Sequence, residues 1–249
     1  MNQLSVVVQF LQFGCQEYSN TYMTDDCSII AKFKQSLIVS CQAPVDSPLH
    51  EPTVIAAIAQ AAINQGAVGV RIDTPAHVKA VRQRCTAPII GLWKQQIPGY
   101  EVYITPQFHH ASAIAQAGAD IIAIDATQRQ RPAGETLTSL IQQIHQLGKP
   151  VMADVDTIES AIAATNAGAD IVGTTLYGYT KATTHLSPPG FELLKQIKDT
   201  LSVPVICEGG ISSPQMARQA LDLGAYAVVV GTAITGIDHL VKAYRSAIR

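Results

Sequence analysis

The 249-residue sequence has few charges and no cluster of charge of either sign. Charged residues make up 14% of the chain, and the formal net charge is −2. There is no basic run and no interleaving of basic with aromatic residues. Proteins that bind nucleic acids recognise the phosphate backbone through clustered lysine and arginine. We therefore expect no nucleic-acid partner.

Cysteines and long apolar stretches are also scarce. The cysteines are odd in number, scattered and without a CxxC pair: Cys15, Cys27, Cys41, Cys85 and Cys207. This pattern favours reduced thiols in a cytoplasmic protein over a disulfide framework. The apolar stretch LSVVVQFLQF is too short to span a bilayer. It also lacks the basic segment and the small-residue cleavage site of a signal peptide, so we expect no contact with a membrane.

Motifs for nucleotides and metals are missing as well. No Walker loop is present, and no GxGxxG follows the first predicted strand. The seven histidines show no ligand spacing, and the adjacent His109 and His110 should point their rings apart on a helix. Zinc sites on helices instead use histidines at i and i+4. We expect neither a metal nor a cofactor.

The N-terminal residues differ from the rest of the chain. Residues 14–30 are polar and rich in turn formers, and a second methionine occurs at Met23. We hypothesise that residues 1–30 are an extension, either disordered or, for residues 1–22, translated from an upstream start codon. The remaining residues, 31–249, contain no linker or low-complexity run and should form a single domain.

What the chain does contain is a regular alternation of short apolar runs with amphipathic segments. The predicted strands are Leu37–Cys41, Val68–Ile72, Pro88–Leu92, Ile121–Asp125, Val151–Asp154, Ile171–Thr174, Val203–Cys207 and Ala227–Gly231. The predicted helices are Pro52–Asn64, Ala76–Arg84, Ser112–Ala117, Thr136–Leu147, Ile158–Asn166, Phe191–Thr200, Pro214–Leu223 and Ile237–Ile248. Parallel strands need such crossover helices. Eight units in this length predict a (β/α)8 TIM barrel rather than the alternative, an open doubly wound sheet, which usually has fewer strands.

Polar side chains lie at or just after the C-terminal ends of most of the predicted strands. They are Gln42, Arg71, Lys94, Asp125, Asp154, Thr175 and Glu208. In a barrel these side chains meet at the C-terminal ends of the strands, where such folds carry their chemistry. Structural alternatives stay open at this point: Arg71 could form an ion pair across the barrel. Asp125 and Asp154 could instead cap the helices that follow them.

Two glycine-containing loops predict a phosphate site. The segments EGGISSP and VGTAITG follow the seventh and eighth strands and contain Gly209, Gly210, Gly231 and Thr232. Barrels of this kind bind phosphate with backbone N–H groups from these two loops. Glycine lets the backbone approach an anion closely. The pair of loops therefore indicates a phosphorylated small molecule.

Several segments together resemble the N-acylglucosamine-6-phosphate 2-epimerase family, also called the N-acetylmannosamine-6-phosphate 2-epimerase family. The resemblance runs from about Leu37 to Gly236 and rests on LIVSCQAPVDSPLH, GAVGVRI, GLWK, YITP, GADIIAIDAT, MADVDT, GADIVGTTLYGYT and CEGGISSP. It implies a barrel of the ribulose-phosphate-binding type. The segment GLWKQQ departs from the commoner family form, in which an aliphatic residue often stands at the position of Trp93, before the lysine.

The resemblance implies interconversion of N-acetylmannosamine 6-phosphate and N-acetylglucosamine 6-phosphate in amino-sugar and sialic-acid breakdown. It implies Lys94 and Glu208 as catalytic residues, with Gln42, Arg71 and Asp154 facing the sugar. We add Asp125 and Thr175 to the substrate-binding set because they lie at the ends of the fourth and sixth predicted strands. The family uses no nicotinamide or metal cofactor, and a homodimer is plausible by resemblance.

The implied reaction fits the residues. The C2 proton of the open-chain sugar is α to the C1 aldehyde, so its removal gives an enolate. Epimerisation then needs titratable groups on opposite faces of C2, and Lys94 and Glu208 end well-separated strands. Which of the two removes the proton in each direction stays open. A Schiff-base aldolase or lyase using Lys94 and a phosphosugar sensor without turnover are the rival hypotheses.

Overall fold

The computed structural model describes residues 28–248, which form a closed barrel of eight parallel strands in the order β1 to β8. The strands are β1 (Ser36–Cys41), β2 (Gly69–Asp73), β3 (Ile89–Leu92), β4 (Ile121–Asp125), β5 (Val151–Asp154), β6 (Ile171–Gly173), β7 (Val205–Glu208) and β8 (Ala227–Val230). The helices are α1 (Pro52–Asn64), α2 (Pro75–Arg84), α3 (Phe108–Gln116), α4 (Leu137–Gln146), α5 (Ile158–Asn166), α6 (Phe191–Thr200), α7 (Pro214–Asp222), α8 (Thr232–Thr235) and α9 (Ile237–Ala247).

The predicted (β/α)8 barrel is confirmed, and the open-sheet alternative is wrong because β1 pairs with β8. Strands β4 and β5 match their predicted bounds, whereas β7 starts later and includes Glu208. The single-turn helix α8 was not predicted because four residues are too few for a periodic signal. The predicted extension lies outside the described residues except for residues 28–30.

The barrel has two apolar layers, one between the sheet and the helices and one inside the sheet. The inner layer is closed at its N-terminal end by Phe33, which is fully buried in a short 3₁₀ turn. Gly69 leaves room for it, since a Cβ there would lie 2.8 Å from the Phe33 ring. Ile29 and Ile30 pack against the same layer.

Strand alternation places the polar residues above this layer. Side chains two positions apart on a strand share a face. Ile206 belongs to the inner layer, so Glu208 also points into the barrel, and Met152 and Asp154 repeat this on β5. The apolar inner layer thus supports a polar one at the C-terminal ends of the strands. Within residues 28–248, no helix is long and apolar enough to cross a membrane.

Candidate active site

A buried ion-pair cluster forms the floor of the site. Arg71 Nη2 donates to Asp154 Oδ2 at 2.5 Å, and Arg71 Nη1 donates to Asp154 Oδ1 at 3.0 Å and to Glu208 Oε2 at 2.7 Å. The exposed fractions of these residues are 1% for Arg71, 0% for Asp154 and 9% for Glu208. The structural alternative for Arg71, an ion pair across the barrel, is therefore what the structure shows.

The cluster shifts the titration of its members. Burial raises the pKa of Glu208 to about 7, with Arg71 opposing the shift and Asp154 adding to it. Burial disfavours the charge on Arg71, but Asp154 and Glu208 outweigh it and raise the guanidinium pKa above its ordinary value. Arg71 therefore stays charged, and Glu208 is able to exchange a proton near neutral pH.

Thr175 and Gly173 complete the cluster on β6 and the residues just after it. The Thr175 hydroxyl lies 2.6 Å from Asp154 Oδ1 and 3.2 Å from Glu208 Oε2. A Cβ at Gly173 would lie 2.5 Å from Met152 Cε and 3.3 Å from Asp154 Oδ1. Gly173 thus leaves room for Met152 and the Asp154 carboxylate, and the sequence analysis did not identify it because these contacts come from another strand.

Lys94 is held through both its backbone and its side chain. Its backbone N–H donates to Asp73 Oδ1 at 2.9 Å, and its Nζ donates to Gln42 Oε1 at 2.5 Å. Gln42 Nε2 in turn donates to Ser40 Oγ at 3.0 Å. Lys94 also pairs with Ile104 in an isolated antiparallel bridge, so it belongs to a short two-stranded ribbon after β3. Sequence reasoning missed Asp73, whose partner is 21 residues away.

Trp93 packs against a buried histidine. Its ring makes an edge contact with His110, with centroids 5.2 Å apart. The rings of His109 and His110 lie 3.8 Å apart, so the expectation that they point apart is wrong. Burial and His109 lower the pKa of His110 to about 4, which keeps it neutral under Trp93. No group of three or more potential metal ligands is found in the part of the chain that the structure describes.

Asp125 is separated from the predicted partners. Its Oδ1 accepts from the Thr127 N–H at 3.1 Å and hydroxyl at 2.7 Å, and its Oδ2 pairs with Arg129 at 2.7 Å. Helix capping, the alternative for Asp125 and Asp154, is wrong, because Thr136 and Thr157 cap the helices that follow them. The side chain of Asp125 is fully buried and does not line the cavity described next.

An accessible cavity of about 530 Å³ lies over the cluster. It brings together most of the predicted site residues: Gln42, Arg71, Lys94, Thr175, Glu208, Gly209, Gly210, Gly231 and Thr232. Gly209 and Gly210 have φ values of 95° and 73°, which other residues adopt only with strain. A second cavity of about 660 Å³ adjoins it and shares Gln42 and Lys94 with it.

The fold and site define a class of protein. It is a (β/α)8 barrel whose lysine and buried carboxylate face one cavity, beside two glycine loops suited to an anion. Such a site can move protons on a small phosphorylated molecule.

The comparisons with known proteins narrow this class. The model of the N-acetylmannosamine-6-phosphate epimerase family matches residues 55–249, and the chain belongs to that family. A relative named N-acetylmannosamine-6-phosphate 2-epimerase from Thermosynechococcus vestitus is 60% identical over 89% of this chain and 97% of its own. One with the same name from Klebsiella pneumoniae is 46% identical, covering 86% and 89%.

A solved structure agrees with these relatives. The N-acetylmannosamine-6-phosphate 2-epimerase from Clostridium perfringens superimposes with a TM-score of 0.86 at 38% identity, covering 88% of this chain and 96% of that one. A thiamine phosphate pyrophosphorylase from Pyrococcus furiosus, at 18% identity and a TM-score of 0.58, shows a likeness of fold alone.

Replacing Arg71 with leucine should destabilise the protein by about 3–5 kcal/mol at pH 8, because two buried carboxylates lose their cation. This loss of stability should be smaller at pH 5.5. Without the guanidinium the folded variant binds protons that the unfolded chain, with carboxyl pKa values near 4, does not. Its stability therefore rises as pH falls. Urea unfolding at both pH values measures this.

Arg218→Leu is the matched control, because Arg218 pairs with Asp222 on the exposed surface of α7. It should cost less than about 1 kcal/mol at either pH. An equal loss at pH 8 and pH 5.5 in Arg71→Leu would contradict the electrostatic explanation.

Proposed function

We propose that the protein interconverts N-acetylmannosamine 6-phosphate and N-acetylglucosamine 6-phosphate, as an N-acylglucosamine-6-phosphate 2-epimerase. The observation that carries the proposal is the placement of Lys94 and Glu208 on one cavity, in a chain of the epimerase family. The role would be amino-sugar and sialic-acid breakdown in the cytoplasm.

The proposed chemistry is proton transfer at C2 of the open-chain sugar. One of Lys94 and Glu208 removes the C2 proton, and the other returns a proton to the opposite face of the enolate. Arg71 holds the Glu208 carboxyl, and Gln42 holds the Lys94 ammonium. Because only protons move, we propose that the reaction uses no cofactor and no metal.

The remaining residues divide into those that face the cavity and those behind it. Gln42, Arg71 and Thr175 line the cavity and would contact the sugar. Asp154 would act indirectly, since it is fully buried and holds Arg71 and Thr175, which line the cavity. Asp125 is bonded to Thr127 and Arg129, which do not line it, so the geometry supports a positioning role for Asp154 alone.

The phosphate would bind at the other side of the same cavity. Gly209 and Gly210 precede α7, and Gly231 and Thr232 lie where β8 meets α8. Backbone N–H groups in such loops suit a phosphate. Gly210 has no space for a side chain, because a Cβ would clash with Pro188. The phosphate would anchor the sugar so that C2 lies between the two catalytic groups.

Incubation with N-acetylmannosamine 6-phosphate in deuterated water should place one deuterium at C2 of the product, because the removed proton exchanges with solvent. Lys94→Ala should lower the rate at least about 100-fold. Nuclear magnetic resonance measures both. Lys79→Ala, at an exposed position on α2, is the control and should behave as the parent protein.

Unchanged substrate in the parent protein would contradict the proposal and favour the sensor hypothesis. A covalent adduct trapped by borohydride with substrate would instead favour a Schiff-base aldolase or lyase at Lys94. The two experiments therefore separate the three hypotheses.

The kcat/KM of the parent protein should fall as pH drops below about 7. The active state carries one proton shared between Lys94 and Glu208, and Glu208 takes up a second proton with a pKa of about 7. With both groups protonated, neither can accept the C2 proton. Measuring kcat/KM at a series of pH values in both reaction directions gives this acid limb, that is, the fall in kcat/KM below about pH 7. Its midpoint should be the same in each direction.

Glu208→Gln should lower turnover at least about 100-fold and remove this limb from the residual activity. The second ionisation of the substrate phosphate, near pH 6, affects both proteins and serves as the internal reference. A limb near pH 7 that persists in Glu208→Gln would count against Glu208 as its origin.

We propose that the protein forms a homodimer through helix α9. No side chain of α9 is buried, although Ile237, Leu240, Val241 and Tyr244 form an apolar stripe at helical spacing. Val241 and Tyr244 are 60% and 74% exposed. An apolar groove of about 440 Å³ lies along β8, β1 and α7, where no residue of α9 lines it. The α9 helix of a second copy would fill the groove.

The double variant Val241→Asp, Tyr244→Asp should be a monomer, because two charges in an apolar interface cannot be desolvated. Size-exclusion chromatography with light scattering measures the mass. Lys242→Asp, on the same helix but outside the stripe, should stay a dimer. A monomeric parent protein, or an unchanged dimer in the double variant, would refute the proposed interface.

A further inference from the structure

Tyr103 presents a hydroxyl to the active-site cavity that the sequence analysis did not single out. The residue is half-buried and lines the same cavity as Lys94 and Glu208. Among residues 28–248, no hydrogen bond engages its phenol oxygen. A tyrosine that is partly buried normally finds a partner for its hydroxyl. The hydroxyl is therefore available to a substrate bound in the cavity.

The ring of Tyr103 is held in place from two sides. It packs against the apolar layer inside the barrel, the one that contains Ile104 and Leu92. Its backbone carbonyl accepts from the Gln95 N–H at 2.8 Å, next to the bridge between Lys94 and Ile104. Tyr103 and Lys94 therefore belong to one ribbon, and their positions are fixed relative to each other.

The surroundings keep the hydroxyl protonated. Burial raises the pKa of Tyr103 to about 12, and Asp154 and Asp125 add to the shift, while Arg71 and Arg129 oppose it. The phenol is thus a neutral hydrogen-bond donor across the pH range in which Glu208 exchanges its proton.

Three other side chains that line the cavity already have partners for their donors, and Tyr179, which also lines it, is 55% exposed. Both terminal nitrogens of Arg71 bind carboxylates, and the Thr175 hydroxyl lies between Asp154 and Glu208. Lys94 donates to Gln42 and takes part in the proposed proton transfer. An enolate concentrates negative charge on the C1 oxygen, and that charge needs a donor placed in advance.

We propose that Tyr103 is a further catalytic residue, whose hydroxyl donates a hydrogen bond to the C1 oxygen of the open-chain sugar. This inference rests on the proposed epimerase function. The bond strengthens as negative charge develops on that oxygen, so it stabilises the transition state more than the bound substrate. Its removal therefore lowers kcat and leaves KM nearly unchanged.

The test is Tyr103→Phe, which removes the hydroxyl and keeps the ring that packs on the barrel interior. Loss of one donor to an oxyanion costs on the order of 100-fold in kcat in enclosed sites. In this accessible cavity we expect kcat to fall about 10- to 100-fold, with KM within about twofold. Steady-state kinetics and deuterium incorporation at C2 measure the effect, and thermal unfolding verifies that the fold is kept.

Tyr100→Phe is the matched control, because Tyr100 lies in the same loop but does not line the cavity. It should retain the parent kinetics. An unchanged kcat in Tyr103→Phe, or a loss confined to KM, overturns the role of Tyr103 while the proposed function stands. A lowered unfolding temperature that accounts for the lost activity also overturns it. A parent protein without epimerase activity overturns both proposals.

Discussion

The site depends on the position of one guanidinium inside the barrel. Arg71 from β2 bridges Asp154 on β5 and Glu208 on β7, and all three are nearly or fully shielded from water. A lone charge there would cost several kcal/mol, and two carboxylates without a cation would repel each other. The cluster makes a charged layer compatible with a buried barrel interior. It also fixes the carboxyl of Glu208 on a rigid strand.

Lys94 is held in position by a different set of contacts. Glu208 ends a strand, whereas Lys94 lies just beyond β3 on a ribbon that Asp73 and Gln42 hold. Of the two proposed catalytic groups, Glu208 is thus attached to the barrel wall and Lys94 to a supported loop. The same ribbon contains Tyr103, so its geometry affects two groups at the cavity. Loops supported in this way commonly carry the function of a rigid scaffold.

Much of the barrel and of the site could be predicted from local pattern. Short apolar runs alternating with helices require parallel strands, and the strand ends of a barrel meet at one face. Lys94, Glu208 and the two glycine loops were found in this way. Tyr103 was missed because a single aromatic in a loop is usually packing, and nothing local marks its hydroxyl as free. Asp73 was missed because its partner, the N–H of Lys94, lies on another element.

The two aspartates show what could not be predicted from the sequence. Asp125 and Asp154 both end apolar strands and are partners in the β4–β5 register, so their local contexts are alike. Asp125 pairs with Arg129, four residues further along the chain, and lies off the cavity. Asp154 pairs with Arg71, 83 residues away, which also holds the proposed catalytic carboxyl of Glu208. The barrel and the face with the candidate site could be predicted from the residues alone, because hydrophobic periodicity and turn formers are local features. Which carboxylate belongs to the cavity cluster could not be predicted, because the pairing of Asp154 with Arg71 forms only when the barrel closes, whereas Asp125 finds Arg129 nearby in the chain.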